Sequence, residues 1–202
     1  MTNLIELNSL VLATHNLNKV AGIAPLLQSF APHLNISNAH TLGLPDIDET
    51  GADFAENALL KAQIVANATG QATLGDDSGF CVPALADFPG LYSARFVKNS
   101  GGQDQAVADL WQQVGQKPTP AFYVCHLCLV WPNVCQITAV GRVDGSLVYP
   151  ARGNQGFGYD PYFVPNGYEH TFAELGPDIT QKIGHRAQAV QKLAASLGWV
   201  SS

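Results

Sequence analysis

Charge is scarce in this sequence. Only 13% of its 202 residues are Asp, Glu, Lys or Arg, and 10 basic side chains face 16 acidic ones for a formal net charge of −6. A nucleic-acid binder needs a basic face to neutralise phosphates, so the balance argues against a broad nucleic-acid footprint. A small anionic ligand is not, because a few local cations or a metal can reverse the field in a cleft. Long apolar runs are missing too: none approaches the roughly 18 residues needed to cross a bilayer. The opening MTNLIELNSLVLAT lacks the cationic and apolar regions of a secretory signal. Cysteine is sparse, four in a mid-sized chain, which favours reduced thiols. The expectation is a soluble, cytoplasmic protein with no membrane partner. The CHLC at Cys125–Cys128, with Cys135 beyond it, raises zinc. Yet FYVCHLCLVW reads as a strand, where residues three apart point to opposite faces, and a second CxxC is missing. That argues against a zinc site.

What is present is apolar: 47% of the residues are hydrophobic, which is globular composition. A chain of this length buries about 70% of its unfolded surface. SLVLAT (9–14) reads as a strand, THNLNK as a polar loop, and VAGIAPLLQSF as a helix. TLGLPDIDETGA (41–52) is loop, and DFAENALLKAQIVANATG is helical, with Phe54, Ala58, Ala62 and Val65 on one stripe. Asp53 is placed as its N-cap with Glu56 three residues on, and Gly70 as its stop. ATLGDD returns as a strand ending at the acids, and DQAVADLWQQVGQ is a helix. PAFYVCHLCLVW and VCQITAVGRVDGSLV are strands with turns at WPN and VDG. RGNQGFGYDPYFVPNG (152–167) is loop, and HRAQAVQKLAASLG is the last helix. The fold class expected is α/β, a mixed central sheet flanked by helices, as a single domain over 1–202.

Four stretches could carry chemistry. In VLATHNLNK (11–19) a strand feeds a polar loop and a helix start, which presents N–H groups to an anion; Thr14, Asn16 and Lys19 add donors and charge. An ordinary capped helix start reads the same way. DIDETG (46–51) places Asp46, Asp48 and Glu49 before a helix, either as a solvated acidic loop or as help in holding a hard cation. Asn57 and Lys61, one helical turn apart, could project together. GDDSGF (75–80) sets Asp76 beside Asp77, two charges that repel unless a cation or donors compensate them. An Asx-type turn is the plain alternative; Mg²⁺ is the other, since it takes oxygen ligands and shares them with phosphates. In GFGYDPYF and GHR, Phe157 and Tyr159 offer faces for stacking a base, Asp160 an acceptor and Arg186 a donor. Local packing and a solvated arginine are the alternatives there.

Taken together, these stretches resemble the inosine triphosphate pyrophosphatase family, the Ham1- or RdgB-like non-standard purine nucleoside triphosphatases. The resemblance runs through VLATHNLNK, ETGADFAENALLKA, GDDSGFCVPALADFPGLYSARF, GFGYDPYF, TFAEL and GHRAQAV, nearly the whole chain. It implies a two-lobed α/β fold with an active-site cleft between the lobes, a homodimer, and Mg²⁺ dependence. It implies hydrolysis of ITP, dITP and XTP to the monophosphate and pyrophosphate, which removes deaminated purines from the nucleotide pool. Carried over by motif, Thr14, His15, Asn16, Leu17, Asn18 and Lys19 would hold the triphosphate, Lys61 would add a phosphate contact, and Ser78 would touch substrate. Glu49, Asp76 and Asp77 would bind Mg²⁺, with Asp77 also the proton acceptor. Phe157, Gly158, Tyr159 and Asp160 would line the base pocket, closed by His185 and Arg186, and Arg95 in SARF is a further candidate cation. The chain departs from the family at Gly22, where an acid is common, and at Gly184, where Ser is usual. Thr180 aligns with a family lysine, for which Lys182 is the nearest substitute. The rivals are a pyrophosphatase for pyrimidine or damaged nucleotides, and a nucleotide sensor that binds without cleaving.

Overall fold

A buried apolar run and a capped helix open the fold. SLVL forms β1 (Ser9–Leu12), and Asn16 then caps α1 (Leu17–Phe30), its side-chain oxygen accepting the N–H groups of Asn18 and Lys19 at 3.0 and 3.4 Å. The computed structural model describes residues 7–132 and 136–199. β2 (Asn35–Asn38), α2 (Phe54–Thr69) and β3 (Thr73–Val82) follow, then β4 (Phe88–Pro89), α3 (Ser93–Asn99) and α4 (Gln103–Gln113). The long strands β5 (Thr119–Val130) and β6 (Gln136–Leu147) precede β7 (Phe163–Pro165), α5 (Phe172–Leu175), α6 (Pro177–Ile183) and α7 (His185–Ser196). The sheet is hydrogen-bonded in the order β2-β1-β3-β5-β6-β7, with β4 on β3. β1 is parallel to β2 and β3, whereas β4 is antiparallel to β3 and β7 to β6. The sheet is therefore mixed, as the sequence predicts.

The chain divides into two compact units. The first takes Met1–Asp77, Cys125–Gly141 and Arg186–Ser202. On one sheet face Leu10, Leu12, Leu74, Cys125, Leu127 and Leu129 pack with Ile23 and Leu27 of α1 and with Val190 and Leu193 of α7. On the other, Cys128 and Val130 pack under Ala58, Ala62 and Ala66 of α2. Cys125 and Cys128 thus sit on opposite faces of β5, as strand geometry requires. Cys135 and the last residue of the WPN turn lie outside the described residues. The second unit, Ser78–Val124 and Arg142–His185, has an aromatic core in which Phe80, Tyr123, Phe163 and Phe172 meet edge-on, tilted or stacked at 5.0–6.3 Å.

Helix α2 starts where the sequence places it. Asp53 accepts the Glu56 N–H at 2.8 Å, and Gly70 closes the helix in the left-handed region at φ 67°. The reciprocal bond shifts by one residue, Glu56 accepting from Ala52 rather than from Asp53. Its inner stripe is alanine because the helix lies almost on the strand beneath. A Cβ added at Gly75 of β3 would lie 1.9 Å from the Ala58 carbonyl oxygen.

Three readings of the sequence are corrected. GDDSGF does not end a strand: β3 runs through it to Val82, because every residue from Thr73 to Asp77 is buried on both faces. That also removes the Asx-turn alternative. VDG is not a turn, since β6 continues through Val143, Asp144 and Gly145 and pairs Gly145 with Pro165. A Cβ at Gly145 would meet the Val164 carbonyl at 2.2 Å, so the glycine serves close strand approach, not reversal. Finally, the loop over 152–167 ends in a strand, β7, paired to β6.

Gly75→Ala is expected to destabilise the protein by about 1–3 kcal/mol, because backbone must move to admit one methyl group. Urea unfolding should show a lower midpoint at unchanged slope, and an unchanged midpoint would mean that α2 has slack over β3.

Candidate active site

Neighbouring residues of a strand point to opposite faces, and this separates the paired acids. Both are buried, Asp76 at 3% and Asp77 at 5% exposure, yet each meets a different set of partners. Asp76 lies on the α1 and α7 side. Lys19 from the first turn of α1 places its ammonium 2.6 Å from Oδ1, and the buried Cys125 thiol donates to Oδ2 at 3.2 Å. Burial opposes ionisation of Asp76, but the charges of Lys19, Arg186 and Lys61 overcome it and hold the carboxyl well below the usual range.

Asp77 faces α2. Asn57 donates from Nδ2 to Oδ2 at 3.1 Å, and Lys61, one turn on, donates from Nζ to Oδ1 at 3.4 Å. Lys61 also donates to Glu49, so a single buried ammonium joins two carboxylates. Burial works against that charge, but Asp77, Asp76 and Glu49 outweigh it and raise the Lys61 pKa. Asp77 itself is pushed upward, first by burial and then by Glu49, against the pull of Lys61, Lys19 and Asn57. The Asn57 amide is oriented from its other end, where Oδ1 accepts the Gly51 N–H at 2.8 Å. A Cβ at Gly51 would lie 2.7 Å from that oxygen, so the glycine lets the loop bearing Glu49 come close.

The first loop differs from the anion cradle its sequence predicts. The N–H groups of Asn18 and Lys19 are already given to Asn16, and Thr14 Oγ1 accepts the Asn16 N–H at 3.1 Å. His15 is turned to the segment after β2, with Nε2 2.8 Å from the Leu44 carbonyl and Nδ1 3.4 Å from exposed Asp46. Leu17 and Asn18 are exposed. The Lys19 side chain is what this loop contributes to the cluster.

In the second unit the expected base-binding residues are found in unequal states. Tyr159 is buried, stacked on Phe80 at 4.6 Å and 9°, and donates its hydroxyl to the Ser93 carbonyl at 3.2 Å. Its ring is core, which corrects the reading of it as a stacking platform. Phe157 is 39% exposed and keeps that role open. Asp160 is buried and accepts from the Phe157 N–H at 2.9 Å and from the Tyr123 hydroxyl at 3.1 Å. His185, the first residue of α7, stacks on Tyr123 at 4.6 Å and 4°. Gly158 adopts φ 60°, and Ser78 is half-buried on β3. Lys182 is exposed on the last turn of α6 and Arg95 is exposed on α3. Of the departures, Gly184 has a backbone reason, since a Cβ there would lie 2.4 Å from the Thr180 carbonyl. A Cβ at Gly22 would touch Arg186 at an ordinary 3.5 Å. Sequence reasoning missed Tyr123 and passed over Cys125 once zinc was set aside. Alternation along β5 was the available signal, because the two residues share one parity of that strand.

A hard divalent cation fits these donors on their chemistry. Glu49 and Asp77 offer carboxylate oxygens that already converge on one positive charge, that of Lys61. Among the described residues no three His, Cys, Asp or Glu side chains are grouped to hold a metal by themselves. Mg²⁺ needs no such cage, since it keeps waters and shares phosphate oxygens.

The mixed sheet and its ion-paired acids define an α/β protein whose polar centre is built on a strand interior. Comparison then identifies the family: the chain matches the Ham1 family over residues 10–196 and belongs to it. It is 41% identical to a dITP/XTP pyrophosphatase of Zymomonas mobilis over 95% of this chain and 93% of that one. It is 44% identical to a dITP/XTP pyrophosphatase of Caulobacter vibrioides over 93% and 97%. Among solved structures, the Staphylococcus aureus Ham1 protein superposes with a TM-score of 0.82 at 30% identity, covering 94% of this chain and 98% of that one.

The two acids should respond unequally to neutralisation. Asp76 binds its proton less tightly folded than unfolded, so it contributes stability above the ordinary carboxylate range that is lost only in strong acid. Asp77 binds its proton more tightly when folded, so it detracts from stability as pH rises through that range. At pH 7, Asp76→Asn should cost about 3–5 kcal/mol, because it leaves buried cations uncompensated. Asp77→Asn should cost less than that, because Glu49 still compensates the Lys61 ammonium. Urea unfolding of both variants checks this, and the reverse order would contradict it.

Proposed function

We propose that this protein hydrolyses the non-standard purine nucleoside triphosphates ITP, dITP and XTP to the monophosphate and pyrophosphate, and so clears deaminated purines from the nucleotide pool. The observation that carries the reading is the Asp77 site. A buried carboxylate is held in one orientation by Asn57 and Lys61, is raised in pKa, and has Glu49 on the same ammonium. A carboxylate whose pKa is raised by burial is a stronger base than an ordinary aspartate. The names of the relatives point to the same chemistry.

In this reading Asp77 takes the proton from the water that attacks the α-phosphorus, and pyrophosphate leaves. Lys19 and Lys61 neutralise the phosphates, and Asp76 keeps Lys19 at its post. Glu49 and Asp77 would hold Mg²⁺, which when bound supplies charge neutralisation to the phosphate oxygens and the leaving pyrophosphate. Most of the acceleration then comes from positioning and charge stabilisation. The base would stack on Phe157. A 6-oxo purine offers a ring carbonyl and an N1–H, to which Arg186 brings donors and Asp160 an acceptor. Adenine reverses both groups, which a site built this way rejects strongly. The reading includes a homodimer and a cytoplasmic setting and, in keeping with the net charge of −6, no nucleic-acid partner.

Products should be identified with ITP, dITP, XTP, GTP and ATP, with Mg²⁺ and with chelator. Metal-dependent pyrophosphate release, with the non-standard purines far ahead, is expected; orthophosphate release or equal turnover of ATP would overturn the assignment. Asp77→Asn should lose about 10²–10⁴-fold in kcat, the usual contribution of a general base. Arg186→Ala should erode selectivity among purines more than it slows turnover.

A further inference from the structure

One residue outside every motif joins three of the expected base-site positions. Tyr123, on β5, is 7% exposed. Its ring lies flat on His185 at 4.6 Å and 4°. Its hydroxyl donates to Asp160 Oδ1 at 3.1 Å. Asp160 Oδ2 accepts the N–H of Phe157 at 2.9 Å, which fixes the backbone from which the exposed Phe157 ring projects. The loop is packed hard on that carboxylate, since a Cβ at Gly156 would lie 2.4 Å from Oδ2. Stacking alone would require only a flat ring at position 123. The phenol adds a charge-assisted hydrogen bond, about twice as strong as a neutral one.

We infer that Tyr123 is a positioning residue for purine recognition: through one ring and one hydroxyl it sets His185 and the Asp160–Phe157 loop relative to each other. Its contacts are with the expected base-site positions His185 and Asp160, so its effect falls on substrate affinity and base selectivity rather than on the chemical step. Without the hydroxyl, Asp160 Oδ1 loses a donor and the carboxylate is held less firmly. The Phe157 N–H anchor then loosens with it. The inference rests on the base-site part of the proposed function and adds a residue to it.

Tyr123→Phe tests this because it keeps the ring and its stacking while removing the one donor. Steady-state kinetics with ITP and ATP, calorimetric titration with IMP and a thermal melt are run on parent and variant. The expected result is a KM for ITP and a Kd for IMP each raised about 10-fold, the worth of a hydrogen bond to a charged group, with kcat nearly kept. The preference for ITP over ATP should narrow. Asp160→Asn should show at least as large a rise, and the double variant should be no weaker than Asp160→Asn alone, since both changes break one chain of contacts. Unchanged KM and Kd in Tyr123→Phe, a loss confined to kcat, or additive losses in the double variant would overturn the inference. The parent protein tests the underlying reading separately: if it neither hydrolyses ITP nor binds IMP, the proposed function fails, whatever the variant does.

Discussion

A single buried ammonium organises the polar half of this molecule. Lys61 is 7% exposed, and it is tolerable there only because Glu49 and Asp77 both accept from it. For its Nζ to reach Asp77, α2 must lie almost against β3, and that approach depends on a strand residue without a side chain, Gly75, beneath Ala58. The alanine stripe of α2 is the packing side of the same arrangement, because larger residues would lift the helix and pull Lys61 away from the acid. Packing and electrostatics here are one constraint: the small residues set the distance, and the distance sets the charge pairing.

Strand alternation then gives two adjacent aspartates different properties. Asp76 has Lys19 at contact distance, the Cys125 thiol, and the field of Arg186, which fix it as an ionised anchor. Asp77 has one amide donor, a shared lysine, and the repulsion of Glu49, which leave it closer to taking up a proton. Environments that push neighbouring carboxylates apart in this way are how acid and base roles become assigned. In this protein the division follows from the two-residue period of a β-strand.

Much of this was legible in the sequence where local rules decide. The Asp53 cap, the Gly70 stop, the one-turn spacing of Asn57 and Lys61, and the opposite faces of Cys125 and Cys128 all follow from short-range geometry. What failed did so where tertiary burial overrode local propensity. Two adjacent acids read as a strand end, yet β3 carries them through its interior because lysines from α1 and α2 compensate them there. VDG reads as a turn, yet Gly145 is needed where β6 and β7 crowd. Tyr159 reads as a loop aromatic, yet Phe80, far off in sequence, covers its face. Tyr123 gave no motif signal because its importance lies in partners 37 and 62 positions away.

The two neighbouring carboxylates shift in opposite directions from the ordinary aspartate value. Carbon-detected NMR of the side-chain carboxyls, followed from neutral pH into acid, measures both groups in one sample. Asp77 is expected to take up its proton at a higher pH than an ordinary aspartate, while Asp76 remains ionised well below it. Both groups titrating together near the ordinary value, or Asp76 protonating first, would contradict it.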